Sequence, residues 1–191
     1  KKNTASSLNK EKFLIIGAGA MGIAVIKSLF NHRISSKKIV VIEKNQSSEL
    51  KKLKRSNNFE IKNSLDKINN LYQPTITLIA VKPNQLKTLN GLDKDNRLDN
   101  SIIVSVVAGK KIKDLNKVFK KTLGIVRAMT NTPVSVNMGT TIVYFERKIK
   151  TKQNKTIFDF MSLLGQVSET KKEDLIDDFT AIFGSGPAYI Y

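Results

Sequence analysis

The stretch KFLIIGAGAMG, residues 12–22, decides the fold. Its opening is a short apolar run of strand length. From residue 20 the spacing changes: Met21, Ala24, Val25 and Leu29 share one face of a helix over 20–31. Between the two lie Gly17, Ala18, Gly19, Ala20, Met21 and Gly22, a GxGxxG pattern at a strand-to-helix turn. Gly17 allows the tight turn, Gly19 lets a diphosphate approach the backbone, and Gly22 lets the helix pack on the strand. The free N–H groups and the dipole of the helix start then favour phosphate charge. In this context the pattern points to dinucleotide binding.

Outward from this unit, apolar runs and helical spacings alternate. KIVVIE (38–43), TITLIAV (75–81) and SIIVSVV (101–107) read as buried strands, with a weaker one near Phe59–Ile61. Ser47 or Ser48 caps a helix through about Arg55, Asn63 or Ser64 opens a short one, and Pro83 starts another that ends near Leu89. Residues 111–121 read as a helix with Ile112, Leu115, Val118 and Phe119 inward, and 123–128 and 139–145 as strands. A helix from 151 carries Ile157, Phe160, Met161 and Leu164 inward, and a brief strand, QVSET, follows Gly165. Residues 172–183 read as a helix with Leu175, Phe179, Ile182 and Phe183 inward, and Pro187 looks like the start of another. Continuous apolar strands alternating with helices predict an α/β fold: a doubly wound, Rossmann-like parallel sheet with helices on both faces. The expected division is a disordered lead-in at 1–11, a dinucleotide-binding domain at 12–171, and the start of an incomplete all-helical domain at 172–191.

Composition narrows the chemistry. The 191 residues include no cysteine and one histidine, His32. That excludes disulfides, thiolate-held metals and a thiol nucleophile, and argues against a His-based triad or any metal site. His32, at the end of the first helix, is assigned no catalytic role. The net charge of +17 comes from lysines spread along the chain, whereas arginine, the better bidentate phosphate ligand, is scarce. The surface therefore reads as solvated lysine that favours anionic ligands at long range, with no nucleic-acid partner. No apolar run approaches the length of a membrane span and the first residues carry no leader-like apolar segment, so no membrane partner and a cytoplasmic location are expected.

Three strand ends carry further candidates. Glu43 closes the second strand, about 20 residues past the glycines, where a carboxylate accepts from ribose hydroxyls and repels a 2′-phosphate. Lys44 follows at once and offers that phosphate a partner, so NADH and NADPH both stay open. Ala80, Val81, Lys82 and Pro83 lie at the carboxyl end of a buried strand, the edge where doubly wound sheets bind ligands. Val107, Ala108 and Gly109 close the next strand with small residues that admit a flat ring.

GAGAMG, AVKP, VVAGKKI, VRAMTNTPVSVNMGTT and EDLIDDFTAIFGSGPAYIY occur in the order and spacing of pyrroline-5-carboxylate reductases, and the chain from Lys12 to Tyr191 resembles that family. Thr130 stands where many members have proline, and Phe183 where a small residue is usual. The resemblance implies reduction of the C=N bond of 1-pyrroline-5-carboxylate, a small imino acid, to L-proline by NADPH or NADH. The coenzyme would lie along Ile16 and Gly17–Gly22, with Asn63 near the adenosine. Ala80–Pro83 and Val106–Ala108 would follow the ribose, phosphates and nicotinamide. Asn131, Ser185 and Gly186 are candidates for the substrate pocket, with no catalytic residue assigned; capping and tight-turn roles are their alternatives. Family members continue past GSGPAY into a helical dimerisation domain that also binds the substrate carboxylate. The sequence is therefore expected to be the N-terminal part of a homo-oligomeric enzyme, able to bind a dinucleotide but hardly to turn over alone. The rival readings are another reductase of similar N-terminal fold, such as a coenzyme F420-dependent NADP reductase, and a non-catalytic dinucleotide-binding module.

Overall fold

The computed structural model describes residues 7–89, 92, 96–131 and 139–185. Eight strands alternate with helical segments. They are β1 (Phe13–Ile16), β2 (Ile39–Ile42), β3 (Glu60–Lys62), β4 (Ile76–Ile79), β5 (Ile102–Ser105), β6 (Gly124–Thr130), β7 (Gly139–Phe145) and β8 (Gly165–Glu169). The α-helices are α1 (Ala20–Asn31), α2 (Ser48–Asn57), α3 (Ile112–Leu115), α4 (Thr151–Ser162) and α5 (Leu175–Phe179). The strands form one sheet in the order β3-β2-β1-β4-β5-β6-β7-β8.

The deciding stretch behaves as its sequence predicts. All four residues of β1 are buried, and the strand pairs in parallel with β2 on one side and β4 on the other. Phe13 and Ile15 enter one apolar layer with Ile23, Val25 and Ile26 of α1, while Leu14 and Ile16 enter the opposite layer with Leu86, Leu98 and Phe119. A strand apolar on both faces therefore has helical cover on both, each fully buried side chain contributing roughly 1.5–3 kcal/mol. Ser47 caps α2, its hydroxyl accepting from Leu50 N–H at 3.2 Å. His32 ends α1 with its Nδ1 2.8 Å from the Ser28 carbonyl, a capping role.

Four expectations need correction. The sheet is not wholly parallel: β7 runs antiparallel to β6, and β8 lies parallel to β7. The link between Thr130 and Gly139 is too short for the crossover that a parallel pair requires, so the chain reverses as a hairpin. Between β7 and β8 there is room for α4, and the pair is parallel. The lead-in is not disordered throughout: within its described residues 7–11, Leu8 is fully buried in the core and Ser7 Oγ donates to Asp159 of α4 at 2.9 Å. The helix over 111–121 shortens to α3, because the chain must turn back into β6 at Gly124; Ile112, Leu115, Val118 and Phe119 nevertheless all face inward. The short helices expected after Ser64 and from Pro83 to Leu89 do form, as 3-10 helices over Leu65–Lys67 and Pro83–Leu89.

The last correction concerns the helix expected over 172–183. It is α5 followed by a π-helical turn, Thr180–Ser185. Its buried apolar residue is Ile176, while Leu175 and Ile182 are exposed. The face is chosen by charge: Arg127, in the middle of β6 and 1% exposed, donates to Glu173 at 3.2 Å and to Asp177 at 2.6 Å. Burying an arginine without carboxylates would cost more than leaving two aliphatic side chains in water. The helix expected at Pro187 lies outside the described residues. No helix among the described residues is long and apolar enough to cross a membrane.

Candidate functional site: a groove over the glycine turn

Strand order places β1 between β2 and β4, so that the chain leaves it first to one side and then to the other. That reversal opens a crevice at the carboxyl edge of the sheet, the usual ligand position in such folds. Gly17 lies at its floor. Its N–H donates to the Ile42 carbonyl at 2.9 Å, and its φ of +94° is one that side-chain-bearing residues rarely adopt. A Cβ there would stand 2.7 Å from the Ala80 carbonyl oxygen, so the end of β4 leaves room only for glycine. Gly22 is equally constrained, since its Cβ would lie 2.1 Å from the Gly17 oxygen.

Gly19 is different. A Cβ at Gly19 would meet nothing within 4 Å, so its surroundings are open. It is also the N-cap of α1, and no side chain caps that helix start. The first-turn N–H groups of Ala20, Met21 and Gly22 have no intrahelical acceptor and carry the positive end of the helix dipole. The groove above holds about 340 Å³ and is lined by Ile16, Gly17 and Gly19 on one wall, Ile42, Glu43, Lys44 and Asn45 at one end, and Ala80, Val81 and Lys82 at the other. Open space over glycine backbone, an uncapped helix start and flanking lysines are what a dinucleotide diphosphate requires, and the residues fit such a coenzyme.

Glu43 is held rather than free. Its Oε2 accepts from Ala18 N–H at 2.8 Å and its Oε1 from Asn45 N–H at 2.9 Å. Lys82 is exposed, and its N–H is capped by the Gln85 side chain at 3.1 Å. Gln85, Thr88 and Leu89 also line the groove and were missed from sequence. The signal for Gln85 was present: a glutamine three residues after the residue that precedes a short helix, here Lys82 before Pro83, is a capping pattern.

Farther along the edge, Val106 continues β5, its N–H donating to the Ile79 carbonyl at 3.1 Å. Val107 is buried, and its N–H is held by Ser105 Oγ at 3.3 Å. Ala108 and Gly109 are exposed, so the small residues of this loop do present backbone to the edge. Asn131 ends β6, two strands beyond β4 and therefore roughly 10 Å away. Its Oδ1 accepts from Thr140 N–H at 2.8 Å, which leaves the Nδ2 end as the one able to donate to a ligand. Ala18, Ala20, Met21, Gly22, Pro83, Val106, Val107, Ala108 and Asn131 are not among the groove's lining residues. Asn63 is exposed at the end of β3, outside the groove lining, its Oδ1 accepting from Ser64 Oγ at 3.2 Å. Ser185 closes the π-helical turn, and Gly186 lies outside the described residues.

Among known proteins, a family model described as "NADP oxidoreductase coenzyme F420-dependent" matches residues 12–109, the half of the chain that builds the groove. Similarity to individual proteins runs farther. The chain is 29% identical over 181 residues to a pyrroline-5-carboxylate reductase of Corynebacterium melassecola, covering 93% of this chain and 65% of that one. A solved pyrroline-5-carboxylate reductase from Coxiella burnetii superimposes with a TM-score of 0.81 at 27% identity, over 94% of this chain and 66% of that chain. A Plasmodium falciparum pyrroline carboxylate reductase with NADP bound gives 0.78 at 25% identity, over 96% and 66%. The chain thus spans just under two thirds of the length of the proteins it resembles.

Proposed function

The chain belongs to the family of coenzyme F420-dependent NADP oxidoreductases, and on that premise we propose that it is the coenzyme-binding part of a pyrroline-5-carboxylate reductase. Bound NADPH or NADH would supply a hydride to the imine carbon of 1-pyrroline-5-carboxylate while a proton from water ends on the nitrogen, giving L-proline and the oxidised coenzyme. The observation that carries this reading is the open cradle at Gly19, beneath an uncapped helix start and between Glu43 and Ala80–Lys82. The similarity of nearly the whole chain to reductases of this substrate supports the choice of imino acid. The family match itself ends at Gly109, before β6 and the Asn131 edge.

In this reading the backbone N–H groups of residues 19–22 hold the diphosphate. The Ala80–Pro83 turn follows the ribose and phosphates, and the Val106–Ala108 loop takes the nicotinamide. Asn63 stands toward the adenosine side. The Nδ2 group of Asn131 donates to the imino acid, and Ser185 and Gly186 contribute to the lining of its pocket. These residues bind and orient; the acceleration they supply is that of holding two reactants in line and excluding water. A homo-oligomer acting in the cytoplasm on a small imino acid, with neither nucleic acid nor membrane as partner, completes the proposal.

The test follows the absorbance of the reduced nicotinamide after 1-pyrroline-5-carboxylate is added. Proline formed in step with coenzyme oxidation supports the reductase. Coenzyme that binds with little or no reaction is the result expected of the coenzyme-binding part alone, whereas NADH and NADPH that both leave the thermal midpoint unmoved would overturn the proposal.

A further inference from the structure

We propose that Glu43 makes this chain select NADH over NADPH, although the family it belongs to is described by NADP. The inference rests on the coenzyme reading of the groove and adds the identity of the coenzyme. Glu43 closes β2, whose terminal Ile42 and following Lys44 and Asn45 line one end of the groove. That end is where a doubly wound fold receives the adenosine ribose.

Two features decide the selection. The first is that the carboxylate is fixed. Each oxygen is tied to a different backbone N–H, Ala18 on the glycine turn and Asn45 beyond the strand end. To swing away from a 2′-phosphate the side chain must give up two charge-assisted hydrogen bonds. The second is that its remaining lone pairs suit donors only. A ribose 2′-hydroxyl donates to them, whereas a 2′-phosphate brings a second anion against a carboxylate that cannot retreat.

Lys44 is the counter-argument within the sequence. It is exposed, and among the described residues it has no hydrogen bond or ion pair that fixes it beside the groove. A solvated, mobile ammonium offsets a fixed carboxylate only weakly. The +17 charge of the chain attracts the more highly charged NADPH at long range, but at physiological ionic strength the screening length is about 8 Å. The local carboxylate therefore sets the preference.

The experiment titrates the chain with NADH and with NADPH separately, at physiological salt, following nicotinamide fluorescence and the thermal midpoint. NADH is expected to bind at least about 10-fold more tightly, a difference of roughly 1.4 kcal/mol. In Glu43→Ser the ratio is expected to shrink by a similar factor, with NADPH gaining. A purely structural role for Glu43 would weaken both coenzymes alike and leave the ratio unchanged. Equal or tighter NADPH binding in the unaltered chain, or an unchanged ratio in the variant, overturns the selection. If Glu43→Ser does not fold, the ratio in the unaltered chain still decides. Failure of both coenzymes to bind is a separate result, which removes the coenzyme reading of the groove itself.

Discussion

Arg127 Nη2 donates to Asp177 Oδ1 at 2.6 Å across the boundary between the sheet and the last helix. Arg127 is the largest fully buried side chain among the described residues, and its second carboxylate partner, Glu173, also accepts from Ile112 N–H at 2.6 Å. One acidic segment therefore ties together β6, the start of α3 and α5. Lys111 adds an exposed ion pair to Asp174 at 2.6 Å. Removing both carboxylates leaves a buried guanidinium without a counter-charge, which costs about 3–5 kcal/mol. In a domain of this size the double variant Glu173→Gln, Asp177→Asn is expected to melt roughly 6–20 °C lower. Arg127→Met leaves two carboxylates that reach water and is expected to lose much less. Thermal unfolding of the two variants checks the order, and an equal loss would contradict it.

The glycines of the turn separate binding from folding. Gly19→Ala puts a methyl group into open space and changes an N-cap residue, so it is expected to cost at most about 1 kcal/mol of stability. The same methyl occupies the place of the diphosphate, and coenzyme affinity is expected to fall at least about 10-fold, or 1.4 kcal/mol. Gly22→Ala drives a Cβ to within 2.1 Å of the Gly17 oxygen. Overpacking of that kind costs about 1–3 kcal/mol or more, so it is expected to lower the melting temperature as well as affinity. Paired melting and coenzyme titration distinguish the two.

Tyr72 sets part of the alkaline limit. Its hydroxyl lies 2.8 Å from the Phe13 carbonyl and 2.9 Å from the Lys38 carbonyl, bracing the start of the central strands. Burial, and after it the charge of Glu60, pushes the phenol well above its ordinary range. The folded state thus keeps its proton where the unfolded state releases it. The stabilising effect is whole below the unfolded value of about 10 and is lost as pH rises from there toward the folded value. Tyr72→Phe is expected to cost about 1–2 kcal/mol near neutrality. It is also expected to flatten the loss of stability above pH 10, as denaturant unfolding across that range would show.

The central strands were legible because their side chains are apolar on both faces, a pattern that only a doubly covered sheet uses. β1, β2, β4 and β5 all fall inside the predicted runs. The glycine turn was legible for a different reason: its residues are fixed by backbone space, which sequence states directly. The direction of β7 was not, since apolar alternation is blind to strand polarity and only the length of the preceding link carries it. Nor was the facing of α5. Hydrophobic spacing chose Leu175 and Ile182, but the partner that orients the helix is Arg127, distant in sequence and lost among the other basic residues. Glu43 was picked out by position, yet its two backbone hydrogen bonds arise from strand ends brought together by the fold. The π-helical turn at Thr180–Ser185 has no signal that separates it from α-helix in the spacing.

Backbone amide resonances of the chain titrated with NADH test the binding site most directly. Saturating shifts are expected at Gly19, Ala20 and Met21, together with Ala18 and Asn45, whose N–H groups report on Glu43. Absence of shifts there, or shifts confined to the lysine-lined cleft between α1 and α2 at Lys27, Lys51, Lys52 and Arg55, would contradict coenzyme binding over the glycine turn.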